Sequence, residues 1–176
     1  MSVTLEIDPL GRVAVTEERI YEFPTGLPGF NHVKRFAFVE HDDYLPFAWM
    51  VAVDQPDLAF VVVDPRFFCA NYRPRLSPED LIVLGLKGRQ DAAKILAIVT
   101  IPSDPRDLTL NLRGPVVLNP ARRIGRQAIL AGHDYSTRHP VRDNVDADAG
   151  TGAAGQGARV AVQSQGRRDE CAGTHP

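Results

Sequence analysis

The side chains best placed to do chemistry are four carboxylates, Asp42, Asp43, Asp54 and Asp57. Oxygen ligands of this kind collect hard divalent cations, and a metal held there would support a metal-dependent enzyme. The spacing is not that of a calcium loop and Pro56 interrupts it, so a solvated acidic rim is the plainer reading. His32, His41, His133, His139 and His175 lack the paired or i, i+4 spacing that brings two imidazoles to one metal. No Gly-x-Ser-x-Gly elbow and no Gly-x-x-x-x-Gly-Lys loop occurs, and Gly26-x-x-Gly29 is too short and proline-rich to cradle a pyrophosphate. Arg122, Arg123 and Arg126 present guanidinium forks suited to phosphate, the basis for an alternative reading as an RNA-binding module. That cluster holds no aromatic residue for base stacking, and the chain carries a formal net charge of -2 where a nucleic-acid domain is usually basic. The inventory predicts a binding or regulatory protein rather than an enzyme, with no cofactor, no metal and no direct nucleic-acid binding.

The elements that must position these residues are strands. Apolar runs recur at short intervals, each ended by Pro, Gly, Asp or Asn. The pattern places strands near Val13 to Thr16, Ile20 to Phe23, Phe36 to Glu40, Phe47 to Val53, Ala59 to Asp64, Ile82 to Leu86, Ile95 to Ile101, Leu108 to Asn111, Val116 to Asn119 and Arg126 to Leu130. Leu108, Leu110 and Leu112 alternate with Thr109, Asn111 and Arg113, which gives one strand a dry and a wet face. Ala59 to Val63 and Ile95 to Ile101 are apolar throughout and belong at the centre. Ser77-Pro78-Glu79-Asp80 carries a capping residue, a first-turn proline and early acids, which predicts a single helical turn. Arg89 to Lys94 allows another. The fold class is all-β, a small, mostly antiparallel β-barrel with one or two short helical turns and a disordered C-terminal tail.

Between two strands, Phe23-Pro24-Thr25-Gly26-Leu27-Pro28-Gly29-Phe30 interleaves prolines and glycines with aromatic residues that need burying. Fixed φ at Pro24 and Pro28 and free φ at Gly26 and Gly29 make a rigid corner. Asp64-Pro65 closes the most apolar run as a turn in which the carboxylate bonds backbone. Leu45-Pro46-Phe47-Ala48-Trp49, Tyr72 and Tyr135 offer aromatic anchors of the type that dominate interfaces, although Phe47 and Trp49 share a strand parity and Trp49 reads as core. Cys69 reads as a small buried hydrophobe.

A chain of 176 residues suits one domain that buries roughly two-thirds of its unfolded surface. Cys69 and Cys171 lie far apart, so no disulfide is expected. Met1 to Glu6 holds no basic or apolar leader region, and no stretch nears the ~20 apolar residues of a membrane span. These features predict a soluble, cytoplasmic protein with no membrane partner. Residues 1 to 60 hold mostly Asp and Glu, and residues 106 to 142 mostly Arg, so either a charged partner or pairing of the two halves accounts for the split. From about Asp143 the composition shifts to Ala, Gly, Gln and Arg without aromatics, which cannot offset the entropy of ordering. The boundaries are a folded domain at 1–142 and a tail at 143–176.

Several of these segments together resemble the FliW family of flagellar assembly factors. The resemblance rests on the corner from Phe23 to Phe30, on Asp57-Leu58-Ala59-Phe60-Val61-Val62-Val63-Asp64-Pro65 and on Ile98-Val99-Thr100. Asn111-Leu112-Arg113-Gly114-Pro115-Val116-Val117-Leu118-Asn119, Gly125-Arg126-Gln127-Ala128-Ile129-Leu130 and the closing Tyr135-Ser136-Thr137-Arg138-His139-Pro140 complete it in order. The chain departs from the family at Met50-Val51-Ala52, where members often carry Leu-Gln-Ser. The resemblance implies binding of the flagellin monomer and antagonism of the translational regulator CsrA by partner exchange. It makes Gly26, Pro28, Gly29, Phe30, Asp64, Pro65, Asn111 and Gln127 scaffold residues. Phe47, Tyr72, Tyr135, Asp42, Asp43, Asp54 and Asp57 are the candidate partner contacts.

Overall fold

The computed structural model describes residues 2–131 and 134–141; the expected tail lies outside them. The strands are β1 (Ser2–Ile7), β2 (Gly11–Thr16), β3 (Ile20–Glu22), β4 (Arg35–Glu40), β5 (Ala48–Ala52), β6 (Ala59–Val63), β7 (Lys94–Thr100), β8 (Thr109–Leu110), β9 (Val116–Asn119), β10 (Ile124–Gln127) and β11 (His139–Pro140). One helix, α1 (Pro78–Val83), and single 3-10 turns at Glu17–Arg19, Asp42–Tyr44, Pro65–Phe67, Gln90–Ala92 and Pro105–Asp107 join them.

β3 through β7 pair in antiparallel succession, and β7 then splits. Its first half, Lys94 to Leu96, pairs with β9, while Val99 and Thr100 pair with β8, which in turn carries β11. β9 runs antiparallel to β10, and β10 returns to β3 as a parallel neighbour through Ile124 and Glu22. The circuit β3-β4-β5-β6-β7-β9-β10 is a closed barrel of seven strands.

Alternation along the strands makes two cores. Phe23, Phe36, Phe38, Met50, Val62, Leu96, Val116 and Leu118 fill the interior. Ala37, Val39, Trp49, Val51, Val61, Val63, Ala97 and Val99 point outward and are buried with Leu5, Ile7 and Val15 of the β1–β2 hairpin. Burial on both faces is why these strands read as continuous apolar runs. A third cluster, Leu76, Leu84, Leu86, Val117 and Ala128, seats α1 on the opposite wall.

Closure is local. The Glu22 N–H donates to the Arg123 carbonyl (2.8 Å), and the Arg123 guanidinium donates to the Glu17 carbonyl (2.8 Å). Beside this seam, a Cβ on Gly125 would lie 2.3 Å from the Phe23 ring, so only glycine lets β10 come this close. Glu17, Glu22, Arg35, Arg122 and Arg123 line one groove here, so the acidic and arginine-rich parts of the chain meet across the seam.

Three readings of the sequence need correction. Ile82 to Leu86 is not a strand. Ser77 Oγ accepts from the Asp80 N–H (3.1 Å), the Asp80 carboxylate accepts from the Ser77 N–H (3.2 Å), and this capping box starts α1, which runs through Ile82. β1 precedes the first expected strand; Leu5 and Ile7 are buried between exposed Thr4, Glu6 and Asp8. The last barrel strand is Ile124–Gln127 instead of Arg126 to Leu130, because Ala128 and Leu130 turn their N–H groups to the Pro115 and Arg113 carbonyls.

Both corner glycines take positive φ, +68° at Gly26 and +84° at Gly29. A Cβ on Gly26 would lie 2.6 Å from the Phe30 carbonyl oxygen, whereas one on Gly29 meets nothing within 4 Å. Gly29→Ala should therefore cost only the left-handed strain of about 1–2 kcal/mol. Gly26→Ala should cost more than Gly29→Ala, and Gly125→Ala should cost about 2–3 kcal/mol by overpacking against Phe23. Denaturation midpoints check the order, and a Gly125→Ala protein as stable as the parent would contradict the described seam.

Candidate functional site

The barrel's two ends differ. At one, the corner folds inward: Leu27 and Val33 are buried with Leu58, and Phe30 packs edge-on against Phe60 (centroids 5.6 Å). The other end opens as a groove of roughly 650 Å³, floored by the interior residues Phe38, Ala48, Val62 and Leu96. A Lys94–Glu40 ion pair (3.5 Å) sits at its edge. Its lips are Leu45 and Phe67, 59 % and 63 % exposed.

The lips are held from beneath. Phe47 and Phe68, each half-buried, stack with centroids 5.9 Å apart and tie the segment before β5 to the turn after β6. That turn is set by Asp64, whose carboxylate accepts from the Arg66 N–H (2.9 Å) and from its guanidinium. The Arg66 hydrogen bond holds the Asp64 carboxyl below the usual carboxylate range. Asp104-Pro105-Arg106 repeats the same turn elsewhere.

The four candidate carboxylates are not brought together. Asp42 and Asp43 lie on the 3-10 turn between β4 and β5, at the open end, while Asp54 and Asp57 lie between β5 and β6, at the plugged end. The five residues of β5 hold the two pairs on the order of 15 Å apart. No group of three His, Cys, Asp or Glu with metal-binding geometry occurs among the described residues. Asp54 is engaged by Arg35 (2.6 Å), which lowers its pKa.

The arginine cluster is taken up by the fold, with Arg122 and Arg123 lining the seam groove and Arg126 facing α1. Arg126 bonds Asp80 (2.8 Å) and Glu79 (2.8 Å) and pins α1 to β10, Arg123 serves the seam, and Arg122 lies against Gly85.

Tyr72, expected as an exposed anchor, is 2 % exposed; its hydroxyl donates to the Leu112 carbonyl (2.7 Å) and its ring meets Tyr135 edge-on (4.7 Å). Tyr135 is half-buried, and its hydroxyl accepts from the Arg73 N–H (3.1 Å). Trp49 is core, edge-on to Tyr44. Cys69 is half-buried against the outer core. Asn111 and Gln127 meet at one turn: the Asn111 side-chain Oδ1 accepts from the Gly114 N–H (2.8 Å) and the Gln127 side-chain Nε2 donates to the Gly114 carbonyl (2.9 Å). Phe67 and Lys94 are the mouth residues that the sequence reading missed as a site. Two adjacent phenylalanines after Asp64-Pro65 were the available signal, since both cannot turn inward from one short turn.

Architecture and surface define a small closed β-barrel with one plugged end, one apolar open end and an outer hairpin layer. No helix among the described residues is long and apolar enough to cross a membrane. The family model described as FliW protein matches residues 4–141, and the chain belongs to the FliW family. The flagellar assembly factor FliW of Natranaerobius thermophilus is 42% identical over 146 residues, covering 82% of this chain and 93% of the relative. That of Geobacter sulfurreducens is 40% identical over 133 residues, covering 76% and 82%. A crystal structure of the flagellar assembly factor FliW superposes with a TM-score of 0.72 at 30% identity, covering 78% of this chain and 96% of that one.

The position of Tyr72 makes a pH-dependent expectation. Burial, followed by the neighbouring Tyr135 and Cys69, pushes its phenol well above the ordinary value. Ionisation then favours the unfolded chain, so this contribution is complete below about pH 10 and is lost as pH rises past it. Tyr72→Phe should lower stability at neutral pH by about 1 kcal/mol through the lost hydrogen bond. It should also flatten the loss of stability above pH 10, which denaturation at a series of pH values reads directly.

Proposed function

We propose that this protein is a cytoplasmic flagellar assembly factor that binds the flagellin monomer and, in exchange for it, the translational regulator CsrA. It acts by occupancy and not by catalysis. Accumulating flagellin takes up the factor and leaves CsrA to repress flagellin translation; export of flagellin returns the factor to CsrA. The observation that carries the reading is the family match across 4–141, joined to relatives named as flagellar assembly factors that share nearly the whole barrel.

The surface is consistent with such a role. Phe47 and Tyr135 remain partly accessible, Asp42, Asp43, Asp54 and Asp57 are exposed, and the open mouth presents apolar lips. A rigid barrel wall with an apolar groove and a polar rim suits capture of a peptide segment. Separation of the four carboxylates and engagement of Arg123 and Arg126 within the fold weigh against the metal-dependent and RNA-binding alternatives.

Calorimetry should show the host's unassembled flagellin binding near one-to-one, with no comparable binding to the polymerised filament, whose subunits bury their terminal segments. Absence of binding to the monomer at micromolar concentration would remove the assembly-factor reading.

A further inference from the structure

We infer that the open barrel mouth is the docking site for the flagellin monomer, and that the docked segment pairs apolar anchors with at least one basic residue. This rests on the flagellin-binding reading above.

The interior core does not end in a plug at this end. Phe38, Ala48, Val62 and Leu96 belong to the barrel's inner face, yet they also floor an open groove. Its roughly 650 Å³ lies within the ~300–1,000 Å³ span of binding clefts. Among the described residues, the large apolar side chains left most exposed are Leu45, Phe67, Ile82 and Ile129, and the first two line this groove. The Phe47–Phe68 stack and the Asp64–Arg66 turn fix both lips before anything binds, so little ordering entropy is left for association to overcome.

The charge around the groove selects the occupant. Glu40 and Asp64 line it, and Asp42 and Asp43 stand on the turn between its lining residues Glu40 and Leu45. Against these four carboxylates stand Lys94, paired to Glu40, and Arg66, paired to Asp64. The surplus is negative and sits on Asp42 and on Asp43, whose carboxylate lies 3.6 Å from the His41 imidazole. A purely apolar segment would leave it unanswered, and an acidic one would be repelled; a segment with Lys or Arg next to its apolar anchors complements both floor and rim.

The test uses the full chain and the host's monomeric flagellin, with Leu45→Ser/Phe67→Ser compared with the control Ile82→Ser/Ile129→Ser. All four side chains are exposed, so unchanged melting temperatures are expected in both. The mouth variant should bind at least tenfold more weakly, and the control within twofold of the parent. A third variant, Asp42→Asn/Asp43→Asn, should lower the association rate at low salt and lose that difference at high salt. Mouth and control variants that both bind like the parent would overturn the mouth as the site while leaving flagellin binding intact. An association rate in Asp42→Asn/Asp43→Asn equal to the parent's at low salt would overturn the basic character of the segment. No binding by the parent protein would remove the flagellin reading and this site with it.

Discussion

A barrel of seven strands exists here because two strands that are far apart in sequence touch at one point. β3 and β10 share a single parallel pair, Ile124 with Glu22, backed by one backbone hydrogen bond to Arg123. So short a ladder contributes little by itself. What holds the seam is packing: Phe23 is fully buried, meets Phe36 edge-on at 4.9 Å, and lies where any side chain at position 125 would have to go. Without that contact the circuit would open into a sheet with exposed edges on β3 and β10, the usual template for unwanted pairing. The inner core, the plugged end and the open end all presuppose closure.

Closure also explains why the two ends of the barrel diverge in use. Strands of this length enclose a column of side chains only a few layers deep, so each end must be covered by a loop or left accessible. The corner from Phe23 to Phe30 covers one, and its paired prolines and positive-φ glycines allow a tight inward fold with Leu27 and Phe30 as stoppers. The loops at the other end do the reverse. Phe47 and Phe68 stack on each other against the outer core, and Leu45 and Phe67 are left facing water. Interior apolar surface therefore continues to the outside at the open mouth, bordered by charge.

Much of this was legible in the sequence. The apolar runs and their Pro, Gly and Asp boundaries gave most strands, and the corner's composition gave a rigid turn. Misreadings share a cause: local signals compete. Ile82 to Leu86 reads as strand by residue type, yet the Ser77–Asp80 capping box upstream commits the backbone to helix through Val83 and leaves Ile82 exposed. Arg126 to Leu130 reads as strand by its apolar spacing, but its second half bonds loop carbonyls. Exposure of aromatics was not legible, because parity identifies an inner face only when the other face is wet, and here β4 to β7 are covered on both sides. Tyr72 lies on no strand, in the loop after the Pro65–Phe67 turn, and its burial comes from Leu112 and Tyr135, which are distant in sequence. The separation of Asp43 from Asp54 was legible, because the strand expected from Phe47 to Val53 runs between them and sends the two pairs of carboxylates to opposite ends.

The central claim is exchange: one factor, two partners that exclude each other. It is tested most directly by forming the complex of this protein with the host's CsrA and titrating it with unassembled flagellin while free CsrA is measured by fluorescence anisotropy on its leader RNA. The account predicts stoichiometric release of CsrA, with RNA binding restored as flagellin reaches equivalence. A stable three-component complex, in which CsrA stays bound and RNA stays free at saturating flagellin, would contradict it.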